Sequence, residues 1–388
     1  MYTVITTCPE SGSRNVGDKL IETRLKELLK AEKGDSEFLT IFREEPLDDR
    51  LAEINATRAA LMPAFPVRDT PMYPGTYRLA QELDSIRVPM IPVGANWNAY
   101  PGDAETRRAV NYSQETTAFL QYVASQTPQV SCREYHLPRI LARHGVPNTV
   151  MTGDPAMFRL DRLGQPMARP SSVENVVFSP PLSPYYADQA KAVMTLLAEL
   201  FANARRTCAF HLADRSQGGG PRSENSAAMT PAVAEKNRRI REHAADLAFE
   251  VLDVAGRVEG LATYDACDLH VGYECHAHLC FLSARLPSVL IAEDARGVGF
   301  NYTLGVGGFR GFERARGSSA VRRKTHTSGY CTDPEERAVA PPRADLCEAL
   351  EQYLVEEADS GFRRFLGLAD RLDELYERAM RPFVRSLP

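Results

Sequence analysis

The chain has 388 residues, 44% of them hydrophobic and 25% charged, a composition typical of a globular protein with room for two or three domains. Its formal net charge of −5 leaves no broad basic field, which argues against nucleic-acid binding through phosphate contacts. No apolar run approaches the roughly 20 residues of a membrane span and the start lacks a signal-sequence pattern, so we expect a cytoplasmic protein.

The first half alternates short apolar runs with helical periodicity. Apolar residues at i, i+4, i+7 and i+8 from Ile21 predict the first helix, and further helices are predicted at 113–124 and 136–144. The runs that predict strands are 3–7, 38–42, 59–62, 88–93 and 129–132. Strands alternating with helices favour a mainly parallel sheet, and we assign residues 1–165 to an N-terminal Rossmann-like domain.

A proline-rich polar stretch at 164–172 interrupts this pattern and is interpreted as a linker. A second α/β series follows, with a helix at 187–203 and strands at 176–179, 207–211, 248–252, 268–271 and 288–292. Residues 170–330 are therefore predicted to form a second Rossmann-like domain. Glycine-rich segments at 218–220 and 305–316 are interpreted as loops that can close over a ligand, and 343–388 as an amphipathic helical segment packed on the body.

Two strand-to-helix junctions carry polar residues suited to chemistry. Gly272 to His278 runs from a predicted strand into an apolar helix and places His276 near the helix start. Asn15 and Asp18 open the first helix in the same way. Because open parallel sheets bind ligands at the carboxyl ends of their strands, the two junctions predict a cleft between facing domains.

Five motifs in order resemble the polysaccharide pyruvyl transferase family. They are Asn15-x-Gly17-Asp18, Ser131 to Glu134, Thr152 to Ala156, Asp268 to Pro287, and Asp294-x-Arg296. The resemblance covers most of the chain and implies two facing Rossmann-like domains of GT-B type. It also implies transfer of the enolpyruvyl group of phosphoenolpyruvate to a saccharide or glycolipid acceptor, forming a ketal.

The family's Arg-x-His motif is thought to bind the anionic groups of the donor, with the histidine as acid. Here His276 stands at the histidine, but Glu274 occupies the arginine position. An anion beside a trianionic donor turns attraction into repulsion. Arg133, Arg296 or Arg310 could supply the missing positive charge, or the donor could differ.

We therefore predict His276, Asp18 and Glu274 as catalytic residues, with Asp18 or Glu274 taking the acceptor proton and His276 acting as the acid. The predicted substrate-binding residues are Arg14, Asn15, Gly17, Arg133, His211, Tyr273, Arg296 and Arg310. Structural alternatives stay open for several of them. Asn15 and Glu274 can serve as helix caps, Arg133 can form an ion pair, and Asp154 is expected to be a turn residue.

Two other functions remain open at this stage: a GT-B transferase that uses a nucleotide-activated donor, and a non-catalytic carbohydrate-binding protein. Histidines and cysteines, which can bind transition metals, crowd together between positions 270 and 280. Their spacing on a strand and a helix prevents all of them from converging, so no metal and no cofactor are expected. The eight cysteines show no C-x-x-C spacing and are predicted to be reduced thiols.

Overall fold

The computed structural model describes residues 1–8, 15–68, 71–212, 231–313 and 340–388. The predicted substrate contact Arg14 and the glycine run 218–220 lie outside these described residues. Two separate parallel sheets organise the chain. This confirms the predicted α/β class with two Rossmann-like domains.

The first sheet has the strand order β2–β1–β3–β5, and every ladder in it is parallel. A single bridge from Ala95 to Cys132 joins it to the parallel pair β7–β8, and β4 pairs with β6 beyond it. The strands are β1 (Tyr2–Thr6), β2 (Phe38–Phe42), β3 (Ala60–Pro63), β4 (Pro66–Val67), β5 (Met90–Val93), β6 (Asn96–Trp97), β7 (Val130–Cys132) and β8 (Thr149–Met151). β1 and β3 are buried along their whole length, as apolar strands covered on both faces should be.

Helices cover this sheet and connect its strands. They are α1 (Val16–Lys33), α2 (Leu51–Asn55), α3 (Ala104–Ala109), α4 (Gln114–Ser125) and α5 (His136–Arg143). α1 buries the stripe of Leu25, Leu28 and Leu29 that its sequence periodicity predicts. It ends at Gly34, whose φ of 74° is the left-handed conformation that closes many helices.

The second sheet has the order β11–β10–β9–β12–β13–β14, again fully parallel. Its strands are β9 (Asn175–Ser179), β10 (Arg205–Phe210), β11 (Glu250–Asp253), β12 (Leu269–Gly272), β13 (Ser288–Ala292) and β14 (Gly308–Arg310). Its helices are α6 (Ala187–Leu200), α7 (Pro231–Asp246), α8 (Cys275–Ser283) and α9 (Ala295–Leu304). The order reverses between β9 and β12, and this switch point is where doubly wound sheets hold ligands.

The stretch 305–316, predicted as a loop, contains the short edge strand β14 in its described part. Three residues in a row are too few for a sequence period to reveal. β14 forms by pairing with the buried strand β13, so a tertiary contact outweighs the local glycine content.

The C-terminal segment returns from the second domain to the first. Its helices are α10 (Leu346–Ser360), α11 (Leu368–Leu375) and α12 (Arg381–Ser386). α11 and α12 are joined by a π turn over Tyr376–Met380, just before Pro382, which cannot donate a backbone hydrogen bond. Glu32 on α1 holds this end, accepting hydrogen bonds from Tyr376 (2.6 Å), Arg381 (3.0 Å) and Arg385 (2.8 Å).

Candidate active site

The start of α1 is tied to the second domain. Asn15 caps the helix, with its Oδ1 accepting from the amide of Gly17 at 2.8 Å. The amide of Val16, the first residue of α1, donates to the carbonyl of His211, which directly follows β10 (3.0 Å). The imidazole of His211 is itself buried and hydrogen-bonded to the Tyr264 hydroxyl at 2.7 Å. The N-terminus of α1 is therefore fixed against the carboxyl edge of the second sheet.

The start of α8 faces it from the switch point of the second sheet. β12 ends at Gly272, where a Cβ atom would come within 2.4 Å of the Ser179 backbone oxygen on the neighbouring strand. The Ser179 hydroxyl then accepts from the amide of Glu274 at 3.1 Å. Glu274 occupies the N-cap position of α8, but its carboxylate accepts no hydrogen bond from the described amides of that helix. Instead it accepts from Nδ2 of Asn15 in the other domain, at 3.4 Å.

The two helix starts meet at Gly17 and His276. A Cβ atom on Gly17 would lie 1.9 Å from Nδ1 and 2.6 Å from Cβ of His276, so the imidazole packs directly on the glycine backbone. His276 is 6% exposed, and its Nε2 is buried without a hydrogen-bond partner among the described residues. Burial, followed by the positive charges of Arg133 and Arg296, holds its pKa well below the usual value. The ring is therefore neutral at physiological pH.

Glu274 titrates in the opposite direction. Burial, helped by the nearby Glu293 carboxylate, raises the pKa of Glu274 to about 8, although Arg296, Asn15 and Lys236 act against this shift. At pH 7 this carboxyl group therefore holds a proton. The pair consists of a neutral imidazole and a protonated acid, which reverses the protonation states expected for a histidine acid and a glutamate base.

Arginines surround this pair. Arg68 directly follows β4 and is buried, and its pKa falls to about 9 because of burial and the nearby Arg43 and Arg296, while Tyr77 and Asp18 oppose the shift. Arg296 forms an ion pair with Asp294, with Nη2 2.7 Å from Oδ2. Asp294 also caps the start of α9. Arg43, which follows β2, lies 4.0 Å from the Glu44 carboxylate (Nε to Oε1), so two of these three guanidinium groups have an acidic partner within the protein.

Arg133 follows β7 and is paired inside the protein. Its Nη1 lies 3.0 Å from Oδ2 of Asp154, both side chains are almost fully buried, and its guanidinium stacks on the ring of Phe300 at 4.7 Å. Asp154 also accepts from the amide of Ala156, forming the expected turn before Pro155. Arg133 thus influences His276 through its charge while its guanidinium is anchored by Asp154.

The neighbouring Glu134 stands where the family motif carries an aspartate. Its two oxygens accept from the amides of His136 (2.6 Å) and Leu137 (2.9 Å) at the start of α5. Burial raises its pKa to about 7. It also packs against Gly299 of α9, where an added Cβ would lie 2.8 Å from its Cγ, so the residue joins the two domains.

The structure brings five of the predicted site residues together. These are Asn15, Gly17, His211, Glu274 and His276. Asp18 follows Gly17 in the first turn of α1, and Arg296 acts electrostatically on both Glu274 and His276, so both lie near this group. Two predicted residues are placed elsewhere. Tyr273 is buried in the second domain with its hydroxyl donating to Gln189 (2.9 Å), and Arg310 is exposed at the end of the edge strand, forming no ion pair with any other described residue.

Four buried or half-buried charged residues near the cleft were not predicted: Arg43, Arg68, Lys236 and Glu293. Lys236 donates to the carbonyls of Pro181 and Leu182, while Glu293 accepts from the Leu182 amide at 3.0 Å. Arg43, Arg68 and Glu293 each directly follow a strand. A charged residue at that position was the sequence signal that could have revealed them.

The histidines considered for zinc serve a different purpose. His270 and His278 both contact the hydroxyl of Ser288, at 2.8 and 2.7 Å, and His270 also contacts Ser179 at 2.8 Å. Among the residues that the structure describes, no three His, Cys, Asp or Glu side chains are grouped so as to hold a metal ion. Nor does any described helix combine the length and apolar character needed to cross a membrane.

Two Rossmann-like domains that face each other across a cleft define the GT-B fold. The sequence pattern of the polysaccharide pyruvyl transferase family matches residues 15–295, well over half of the chain. The chain belongs to this family and is a carbohydrate-modifying transferase, which confirms the family predicted from its motifs. No curated protein sequence matches the chain.

Solved structures with a similar fold are distant. Anabaena HepE, in complex with UDP and glucose, is 10% identical with a TM-score of 0.47, over 99% of this chain and 96% of HepE. The UDP-GlcNAc 2-epimerase of Neisseria meningitidis is 8% identical with a TM-score of 0.49, over 99% of each chain. The wall teichoic acid polymerase TagF is 12% identical with a TM-score of 0.40, over 99% of this chain and 89% of the TagF chain. At TM-scores below 0.5 these similarities support no conclusion about this chain's ligands.

Proposed function

We propose that this protein transfers the pyruvyl group of phosphoenolpyruvate to two hydroxyl groups of a saccharide acceptor, free or lipid-linked, forming a ketal. The observation that carries the proposal is the contact between Glu274 and His276 of one domain and Asn15 and Gly17 of the other. A protonated acid and a neutral imidazole with a buried, unpartnered Nε2 stand where two helix N-termini meet. Such a pair suits proton transfer to one reactant and from another.

The arginine cluster supports an anionic donor despite Glu274 at the motif's arginine position. Because Glu274 is protonated at pH 7, it adds no negative charge beside the donor. Arg43, Arg68 and Arg296 supply positive charge from both sides of the cleft. The helix starts at Val16 and Cys275 add their amide dipoles, which favour phosphate and carboxylate groups.

The roles of the catalytic pair follow from their protonation states. Glu274 gives its proton to C3 of the enolpyruvyl group, converting the methylene to a methyl group, while an acceptor hydroxyl adds to C2. That hydroxyl loses its proton to Nε2 of His276. A second acceptor hydroxyl then displaces phosphate from C2, and its proton leaves on the phosphate. Transfer of the proton from His276 through solvent to Glu274 restores the starting state, giving one ketal and one hydrogen phosphate per turnover.

Asp18 has a different role in this scheme. We assign it to holding the guanidinium of Arg68, because it lies within electrostatic reach of that group. An anionic donor in the cleft would raise the pKa of His276 towards neutrality, since it offsets the charges of Arg133 and Arg296. Binding of the donor thereby makes the His276 imidazole a stronger base for the step in which it takes the proton of the acceptor hydroxyl.

The test is a titration of the purified protein with phosphoenolpyruvate and, separately, with UDP-glucose, followed by turnover assays on saccharide acceptors. The proposal expects heat with phosphoenolpyruvate, phosphate release only when acceptor is present, and a ketal-linked pyruvate in the product by mass spectrometry. If the protein binds UDP-glucose and does not bind phosphoenolpyruvate, the donor is instead a nucleotide-activated compound.

A further inference from the structure

A second surface, apart from the catalytic pair, combines aromatic and basic side chains around a cavity. A cavity of about 620 Å³ opens where α5 of the first domain meets α9 of the second. Its lining residues are Tyr135, Pro138, Arg139, Thr149, Met151 and Tyr302. The volume is within the range of small-ligand pockets.

The cavity carries two unusually exposed aromatic rings. Tyr135 is 48% exposed and Tyr302 is 55% exposed, placing both among the few large hydrophobic side chains that the described residues leave open to solvent. Tyr302 stacks on the buried ring of His136, with ring centres 4.4 Å apart. One face of Tyr302 is therefore fixed by the protein, and the opposite face is free to receive a ligand.

Arginines follow one another close to these rings, and Arg139 among them lines the cavity itself. Arg107 hydrogen-bonds the ring of His136 at 2.8 Å. Arg143, one turn after Arg139, donates to the carbonyls of Arg107 and Arg108 (2.7 and 3.2 Å), which makes the group continuous. None of these four arginines forms an ion pair with an acidic residue in the described parts of the chain.

The charges of Arg107 and Arg139 also act on His136. Burial, together with the charges of Arg107 and Arg139, lowers its pKa to about 4, so His136 stays neutral and stacks as an aromatic ring. In a chain with a formal net charge of −5, this is a local concentration of arginines, against which Glu134 is the buried acid that interacts with Arg107.

We propose that this surface binds a carboxylate-bearing saccharide, and specifically an acidic sugar unit of the acceptor or product chain outside the catalytic cleft. The tyrosine rings would stack on the apolar faces of sugar rings, and Arg139 would receive the carboxylate. The inference rests on the proposed function only in its use of a saccharide acceptor. Because Tyr135 and Tyr302 come from different domains, a bound saccharide would contact both of them.

The experiment measures binding of tetragalacturonate, an acidic oligosaccharide, to the full chain without phosphoenolpyruvate. Neutral maltotetraose and phosphatidylglycerol vesicles are the comparison ligands. We expect tetragalacturonate to bind at least about tenfold more tightly than maltotetraose, and Arg139→Gln to weaken it about tenfold, as the loss of a charge-assisted contact implies. Tyr302→Ala should also weaken binding by up to about tenfold, because it removes the stacking ring. Arg87→Gln, which removes an exposed arginine at the amino end of β5, should leave binding unchanged.

Equal affinity for the acidic and neutral oligosaccharides would overturn the inference, as would unchanged binding in Arg139→Gln. Binding to the vesicles alone would reassign the surface to anionic lipid. Glu274→Gln should retain tetragalacturonate binding while losing turnover. The donor test and this binding test can therefore fail independently.

Discussion

The imidazole of His276 occupies the space that a side chain at Gly17 would need. A Cβ atom there would lie 1.9 Å from Nδ1 and 2.2 Å from Cγ of the ring. Ordinary carbon contacts are nearer 3.5 Å or more, so the two groups cannot coexist without movement of the imidazole or of α1. The glycine in the Asn-x-Gly-Asp motif thus has a structural reason, which is to let a histidine from the other domain approach.

Gly17→Ala should therefore damage catalysis more than stability. Its methyl group displaces the imidazole, and a misplacement of about 1 Å in a reacting group can cost on the order of 100-fold in rate. We expect kcat to fall by about that factor while far-ultraviolet circular dichroism stays unchanged. The control is Gly367→Ala, at a glycine with no atom within 4 Å of the added Cβ. Equal activities of the two variants would contradict the role assigned to the contact.

Glu274→Gln tests the assignment of the acid. If Glu274 must be protonated, the rate of the wild-type protein should fall as pH rises through about 8. The amide cannot give a proton, so kcat should drop by roughly 10²–10⁴-fold, and the residual rate should lose this alkaline limb. A pH profile of kcat from 5 to 9.5 measures both effects.

A matched variant separates this effect from general loss of a buried acid. Glu134 is also buried with a raised pKa, but it binds backbone amides at the start of α5. Glu134→Gln should retain the alkaline limb of the wild-type profile. The assignment fails if Glu274→Gln keeps the limb, or if Glu134→Gln removes it.

The raised pKa of Glu274 also predicts how stability depends on pH. Its ordinary pKa is 4.5 and its folded pKa is about 8, so the unfolded chain loses this proton first. The stabilisation from the protonated group is complete below pH 4.5 and is lost as pH rises through 8. Glu274→Gln should match wild type near pH 4 and exceed its free energy of unfolding by on the order of 4 kcal/mol at pH 8. Denaturant unfolding at both pH values measures the difference, and no change between them would refute the folded pKa.

The sequence predicted well those features that depend on local pattern. The run from Phe38 to Phe42 forms a strand with the predicted bounds, because its apolar and β-branched residues favour a buried strand. His276 lies in the first turn of its helix as expected, since the change from strand to helix at Gly272 is visible in the period. The parallel sheets follow from the same alternation.

Features that depend on distant contacts were not predictable. Arg296 was predicted as a site residue, but its grouping with Arg43 and Arg68 was not, because only strand order and domain packing bring the three together. The protonation of Glu274 likewise depends on burial beneath the other domain and on Glu293. Tyr273 precedes the catalytic pair, yet its ring points into the second domain, because neighbouring residues at a strand end face opposite ways.

Arg68→Gln tests the binding of the donor. The substitution removes one of three positive charges in the cleft and leaves a shorter, uncharged polar side chain. Loss of a charge-assisted hydrogen bond costs about 1.5–3 kcal/mol, so the KM for phosphoenolpyruvate should rise at least about tenfold. The KM for the saccharide should change little. Arg310→Gln, at the exposed edge strand, is the matched control, and a similar rise there would show that general charge and not the cluster binds the donor.

The buried pair Arg133 and Asp154 should behave as a unit in stability. Arg133→Met leaves the Asp154 carboxyl without its cation, and losing one partner of such a pair costs about 3–5 kcal/mol. Asp154→Asn keeps the turn acceptor for Ala156 but leaves the guanidinium unpaired, with a cost of similar size. The double variant removes both charges and should be less destabilised than the sum of the single variants, by about 2 kcal/mol or more. Additive losses in a double-mutant cycle of unfolding free energies would show that the 3.0 Å contact contributes no coupling.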